Sequence, residues 1–207
     1  PAGERMQRTH AVPTTEPRLS VQRKDTEQAH ICFGVAGLAA RDPERFTLAV
    51  LDGVLGGGMA SRLFQEIREK RGLAYAVYSY HAHYQDTGQM VIYAGTRPEN
   101  AAEVVRIIRG EIDRLVSDGI TADELDRVRE SIKGQMILGL ESTRSRMTRL
   151  GKAEITDGEL LSLDEIVDRL DAVTTSGVQL LAARLFDGNH ALAAIAPLDE
   201  TALSHLM

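Results

Sequence analysis

The apolar positions of this chain change period several times, and each change marks an element. Arg18 to Lys24 alternates loosely, with Leu19 and Val21 to one side and Ser20 and Gln22 to the other, which predicts a strand. After a turn at Asp25-Thr26, Gln28 to Gly37 sets Ala29, Ile31, Phe33 and Val35 on one face and Cys32 on the other. This is the expected central strand, and the two strands are expected to pair as a hairpin. The period then lengthens. Asp42 followed by Pro43 reads as an N-cap and first helical position, and Phe46, Ala49, Val50, Gly53 and Val54 recur at helical spacing. Gly56, Gly57 and Gly58 break that helix. Ser61 is the expected cap of the next one, with Leu63, Phe64 and Ile67 on its apolar side, and Gly72 is placed to end it in a left-handed conformation.

Tyr75 to Tyr84 and Gln89 to Gly95 read as a second strand pair, joined through Asp86-Thr87-Gly88. Pro98 starts a helix striped by Ala101, Val104, Val105, Ile108, Ile112 and Leu115 and stopped by Gly119. Thr121 and Glu124 form a capping-box signature, and the helix behind it turns Leu125, Val128, Ile132 and Met136 inward. Helical pattern returns over about 142–156, 162–173 and 174–186, and Leu192 to Ile195 is a last apolar strand before Pro197. Paired strands followed by runs of helices predict an α+β domain of two layers, a mainly antiparallel sheet covered on one face by helices. Residues 1–17 hold Pro1, Pro13 and Pro17 without periodicity and read as a linker or entry arm; 18–207 read as one domain. The start lacks both an initiator methionine and an apolar signal core, so the chain is expected to be a piece of something longer.

Composition narrows the class. Lys and Arg number 24 against 30 Asp and Glu in 207 residues, a net charge of −6 that gives no broad footprint for nucleic acid. Such a length buries a core without staples. No apolar run approaches the roughly 20 residues of a membrane-spanning helix. Cys32, the one cysteine, rules out an internal disulfide and a Cys-rich zinc module; it agrees with a reducing cytoplasm, the compartment expected here.

Several chemistries find no support. None of His10, His30, His81, His83, His190 and His205 belongs to His-x-x-Glu-His or its inverse, there is no Gly-x-Ser-x-Gly elbow, and no Walker-type lysine follows a glycine loop. His81 and His83 share one side of a strand, but no third ligand is evident and a polar strand face is the favoured reading. Cys32, in an expected buried strand, reads as inert packing.

The unusual stretch runs Gly-Gly-Gly-Met-Ala-Ser-Arg-Leu-Phe-Gln-Glu-Ile-Arg-Glu-Lys-Arg-Gly-Leu-Ala-Tyr, from Gly56 to Tyr75. Arg68 falls in the last helical turn, Gly72 reverses the chain and Tyr75 opens the next strand, so guanidinium and phenol reach the same edge. Two such donors suit a peptide carbonyl whose oxygen turns negative during hydrolysis. The plainer reading stands beside it: Arg68 complements a helix C-terminus and Tyr75 is a strand residue with a wet tip. The three glycines are either a helix break of low steric cost or a place where an extended peptide approaches the backbone closely.

The same stretch resembles the second-domain signature of the pitrilysin and mitochondrial processing peptidase family of zinc proteases, the inverzincins, and the likeness extends from about Arg18 to the end of the chain. The resemblance implies two similar α+β domains, or two subunits, around an enclosed chamber. One domain holds zinc and activates water. The other lends an Arg and a Tyr, here Arg68 and Tyr75, to the bound peptide or unfolded protein substrate, with Gly56, Gly57 and Gly58 where the processing-peptidase partner subunit carries a longer glycine loop. This chain has no zinc motif, so zinc in the parent enzyme is expected on an N-terminal domain or partner subunit, and the chain alone is expected to be inactive. The alternatives are an inactive structural or chaperone-like subunit of the same fold and a free small-molecule-binding domain.

Overall fold

The computed structural model describes residues 9–12, 16–157 and 160–207. Most of the expected entry arm thus lies outside the described residues. Five strands, β1 (Arg18–Arg23), β2 (Ala29–Gly37), β3 (Ala74–His83), β4 (Gly88–Thr96) and β5 (His190–Ala196), form one sheet in the order β1-β5-β2-β4-β3. β3 and β4 are the expected antiparallel pair, in register from Ala76↔Gly95 to His83↔Gly88. The expected hairpin of β1 with β2 does not form. β5 enters between them, parallel to β1 and antiparallel to β2. The reason lies in burial. β5 sinks Leu192, Ala194 and Ala196 fully into the core, whereas Leu19 and Val21 of β1 are only half-buried. The more apolar strand takes the interior position and the polar one becomes the edge, where charged side chains such as Arg18 and Arg23 meet water.

Among the described residues there are seven α-helices: α1 (Arg45–Leu55), α2 (Ala101–Ser117), α3 (Ala122–Gly139), α4 (Thr143–Lys152), α5 (Leu163–Asp171) and α6 (Thr175–Leu185) follow the predicted order, and the short α7 (Thr201–Ser204), after β5, has no counterpart in the sequence pattern. Asp42 accepts a hydrogen bond from the Glu44 amide at 2.8 Å, but Pro43 and Glu44 form a turn and α1 begins at Arg45. The Thr121–Glu124 capping box is present in both directions, and Ser162 with Glu165 forms a second one at α5. Leu48, Leu51 and Leu55 of α1, Val104, Ile108 and Leu115 of α2 and Val178 and Leu181 of α6 are buried with Ile31, Phe33, Met90 and Ile92 of the sheet. The other face of the sheet stays open. Tyr78, Tyr80 and Ile195 are exposed there, beside half-buried Cys32, Val91 and Tyr93.

Because β2 is central and β1 is an edge, equal truncations should differ in effect. Ile31→Ala should cost about 3 kcal/mol in urea denaturation, since it empties a fully buried site. Leu19→Ala should cost less than half of that. Equal losses would contradict the strand order.

Candidate functional site

The segment from Ser61 to Tyr75 folds as a helix, a reversal and a strand entry. Its central part, Phe64–Glu69, is π-helical, with the Lys70 amide bonded to the Gln65 carbonyl at 2.9 Å. Such a turn carries one residue more than an α-helical turn and rotates the side chains beyond it. Leu63 and Ile67 are fully buried and fix the apolar side. Ser61 is not the expected cap: its hydroxyl points back and donates to the Gly58 carbonyl at 2.5 Å. Gly72 has φ +61°, as its place in the sequence predicts. Its amide bonds to Arg68 O at 3.0 Å and the Leu73 amide to Ile67 O at 2.9 Å. This nested pair is one residue wider than a Schellman closure, in keeping with the π-helical turn before it.

The reversal brings Arg68 beside Tyr75. The ladder between β3 and β4 passes from Ala74↔Thr96 to Ala76↔Gly95, so Tyr75 is the extra residue of a bulge. Arg68 Nη1 donates to the Tyr75 carbonyl at 2.9 Å. The guanidinium carbon lies 4.7 Å from the Tyr75 ring centroid and 4.9 Å from that of Phe64. The cation is thus held over two aromatic rings while its remaining N–H groups stay available. Tyr75 itself is 79% exposed. The sequence places Phe64, the second ring, only on the apolar side of its helix; its position one helical turn before Arg68 is the signal that could have found the contact.

The three glycines differ in surroundings. A Cβ on Gly56 would sit 2.4 Å from the Ser79 amide nitrogen, and the Gly56 carbonyl accepts that amide's hydrogen bond at 3.3 Å, so the loop closes against the outer edge of β3. A Cβ on Gly57 would meet Gly53 Cα at 2.7 Å. Gly58 has nothing within 4 Å and faces open space. The close approach at the first two is made by the chain itself.

Beneath this loop, Asp52 gathers two side chains of β3. Ser79 donates to its carboxylate, and His81 Nδ1 lies 2.9 Å from its Oδ2. His83 Nδ1 lies 2.7 Å from the Leu38 carbonyl, and burial lowers the pKa of that imidazole. The sequence shows the two histidines on one strand face; it does not show that Asp52, in the helix before, reaches one of them.

A half-buried ion pair anchors the same segment from behind. Arg62 Nε and Nη2 donate to the two Glu124 oxygens at 2.7 and 2.9 Å, and Nη2 also donates to Gly119 O at 2.9 Å. Hydrogen bonds from Arg62, joined by the Thr121 amide, lower the Glu124 pKa to about 2 against burial. The glutamate of the α3 capping box therefore serves twice, since it also holds the helix that carries Arg68.

A family profile described as "Peptidase M16 inactive domain" matches residues 3–132. The chain belongs to the peptidase M16 inactive-domain family. It is 46% identical over 176 residues to an uncharacterized zinc protease of Bacillus subtilis strain 168, covering 85% of this chain and 43% of that protein. It is 42% identical over 189 residues to an uncharacterized zinc protease of Streptomyces coelicolor, covering 91% of this chain and 41% of the relative. The chain thus spans well under half the length of these curated relatives. In fold it is similar to the peptidase M16 inactive domain from Pseudomonas fluorescens, with a TM-score of 0.83 at 21% identity over 92% of this chain and 46% of the other. A protease from Helicobacter pylori gives a TM-score of 0.80 at 22% identity, covering 91% of this chain and 48% of that one.

Among the described residues, the side chains do not fit a zinc ion. His81 and His83 have their Nδ1 atoms against Asp52 and a backbone carbonyl, and among the described residues no group of three or more His, Cys, Asp or Glu side chains converges on one point. The corner offers donors instead: a fixed guanidinium and an exposed phenol.

The Arg62–Glu124 pair gives a pH-dependent prediction. Glu124 is held below its ordinary value of 4.5 at about 2 in the folded chain. Its contribution is therefore complete above pH 4.5 and is lost as the pH falls towards 2. Arg62→Ala should destabilise the domain by about 2 kcal/mol at pH 7, the scale of losing hydrogen bonds to a charged group, because it leaves half-buried Glu124 without its cation. The difference from the parent chain should shrink between about pH 5 and 2. A pH-independent difference in denaturation midpoint would show that the pair does not act this way.

Proposed function

We propose that this chain is the half of a zinc endopeptidase that does not hold the metal. It walls part of the substrate chamber and presents Arg68 and Tyr75 to the scissile peptide. The zinc and the general base belong, on this reading, to an N-terminal domain or partner subunit of the same family. The observation that carries the proposal is the Arg68–Tyr75 corner. A guanidinium stacked over two rings is already ordered before substrate arrives, so little reorganisation opposes its use. The phenol, 79% exposed, has its hydroxyl available for a partner outside this chain. Together they would donate to the substrate carbonyl oxygen as it gains negative charge.

The relatives' names, zinc proteases, agree with this reading, as does the sheet face left open beside the corner. Tyr78 and Tyr93, 5.1 Å apart between ring centroids, and His30, whose Nδ1 is 2.8 Å from the Tyr93 hydroxyl, make that face suited to extended peptides of mixed character. The substrate class is therefore peptide or unfolded protein. The glycine loop enters through Gly58, the position with open space around it. Gly56 and Gly57 set the path of the loop.

The test is made in the complete peptidase. Tyr75→Phe should lower turnover about a hundredfold, the scale of losing one donor to a developing oxyanion, with zinc content unchanged. Arg68→Ala should do at least as much. Full turnover in Tyr75→Phe would assign the corner a purely architectural role and favour a structural or chaperone-like subunit. Separately, Gly56→Ala should destabilise the fold, because the added methyl meets the β3 backbone; Gly58→Ala should leave stability unaltered.

A further inference from the structure

One helix is poorly explained by the fold. α4 buries none of its residues and contacts chiefly the π-helical turn Ala153–Asp157 that continues it. Its sequence, Thr-Arg-Ser-Arg-Met-Thr-Arg-Leu-Gly-Lys, has four cations and no carboxylate, in a chain whose net charge is −6. This pattern opposes helix stability. Arg144 stands in the first turn, where the helix dipole disfavours positive charge. Arg146 with Arg149, and Arg149 with Lys152, are like charges three residues apart on one surface. Apolar side chains are exposed alongside: Met147 and Leu150 on α4, Ile137 and Leu138 at the end of α3, and Leu160 beyond.

Two cavities flank this helix and share Arg149. The larger, of about 660 Å³, is lined by Arg144, Arg149, Arg45 and Lys152 over an apolar floor that includes Phe46 and Ile166. Among the described residues lining it there is no carboxylate. The smaller, of about 250 Å³, is made by Leu140, Leu150 and Leu163 with the stems of Arg146 and Arg149. The arginines are partly ordered: Arg146 donates to the Leu140 carbonyl and Arg149 to the Leu161 carbonyl, bonds that leave further N–H groups on each. The cleft beside Arg62, about 430 Å³, instead mixes Glu66, Glu111, Asp118 and Glu124 with Arg62, Lys70 and Arg114.

We propose that α4 and its two flanking cavities form a docking groove for an acidic peptide segment. Carboxylates of the segment sit against Arg144 and Arg149, and one apolar side chain fills the Leu140–Leu150–Leu163 cavity. Charge complementarity selects the occupant: a cavity walled by Arg144 and Arg149 takes up carboxylates, and the adjoining apolar cavity requires that they belong to a chain with a leucine-like side chain nearby. A small anion would leave that second cavity unused. The proposal concerns a surface of this chain alone and is read by binding, so its failure leaves the peptidase reading intact, and the reverse holds too.

The experiment uses this 207-residue chain and a fluorescent hexapeptide, Glu-Leu-Glu-Glu-Leu-Glu, followed by anisotropy at low salt. Saturable binding is expected, weakened at least tenfold when glutamines replace the glutamates and weakened further by raising salt. Arg144→Glu, at an exposed position, should reduce affinity about tenfold, the equivalent of about 1.4 kcal/mol, and Leu150→Asp should do the same through the apolar cavity. Arg144→Gln gives the smaller loss of a neutralised charge and serves where the reversed charge disturbs the helix, judged by circular dichroism. Equal binding of both peptides, absence of saturable binding, or unchanged affinity in all three variants would overturn the proposal. So would complete displacement by inorganic phosphate at millimolar concentration, which marks a small-anion site.

Discussion

The reversal at Gly72 is the constraint on which the rest of the corner depends. A left-handed residue lets the Leu73 amide return to the Ile67 carbonyl and starts β3 in line with the sheet. That one geometry sets the bulge at Tyr75, the carbonyl it turns towards Arg68, and the stacking of the guanidinium over Tyr75 and Phe64. An L-residue with a side chain at position 72 carries a strain of about 1 kcal/mol there. The helix is then held from the far side by Arg62 on Glu124, so the corner is fixed at both ends, by the reversal after Arg68 and by the ion pair before it.

Much of this is legible in local patterns. The glycine at 72, the capping box at Thr121 and the alternation of β2 are each signals confined to a few neighbouring residues, and each predicts its element. The features that escape the sequence are non-local. The insertion of β5 between β1 and β2 depends on how Leu192, Ala194 and Ala196 compete with Leu19 and Val21 for one interior position, a comparison between opposite ends of the chain. Asp52 meeting Ser79 and His81 likewise joins two elements whose faces are set only when the sheet and α1 pack. The π-helical turn is local, yet Phe-Gln-Glu-Ile-Arg-Glu carries the same apolar spacing as an ordinary helix, so its extra residue leaves no periodic trace.

The glycine run illustrates how one motif divides once it is folded. Gly56 is needed where the α1 exit lies against the β3 backbone, and Gly57 where it passes over Gly53. Both are intramolecular demands, and they place the loop over the edge strand by way of the Ser79 amide. That bond also covers part of the outer edge of β3, which otherwise presents unpaired backbone groups. Gly58 alone is left facing outwards. The loop is thus pinned to β3 at Gly56 and open at Gly58.

Burial on one face only gives the domain its polarity. The helices bury Ile31, Met90, Ile92 and Ala94 completely, while the opposite side of the same sheet carries Tyr78, Tyr80 and Ile195 into solvent. Tyrosine hydroxyls and His30, whose ring nitrogen meets the Tyr93 hydroxyl, give that face polar groups alongside its rings. Helices α1, α2 and α6 turn their buried residues into the core on the other side, so none of them covers the open face. α4, with its exposed leucine and methionine, contacts chiefly the π-helical turn after it. Two surfaces of different character thus remain: a tyrosine-lined sheet face next to the Arg68–Tyr75 corner, and a cationic helix with an apolar cavity. The first offers aromatic rings with polar tips, the second fixed positive charge beside an aliphatic hollow.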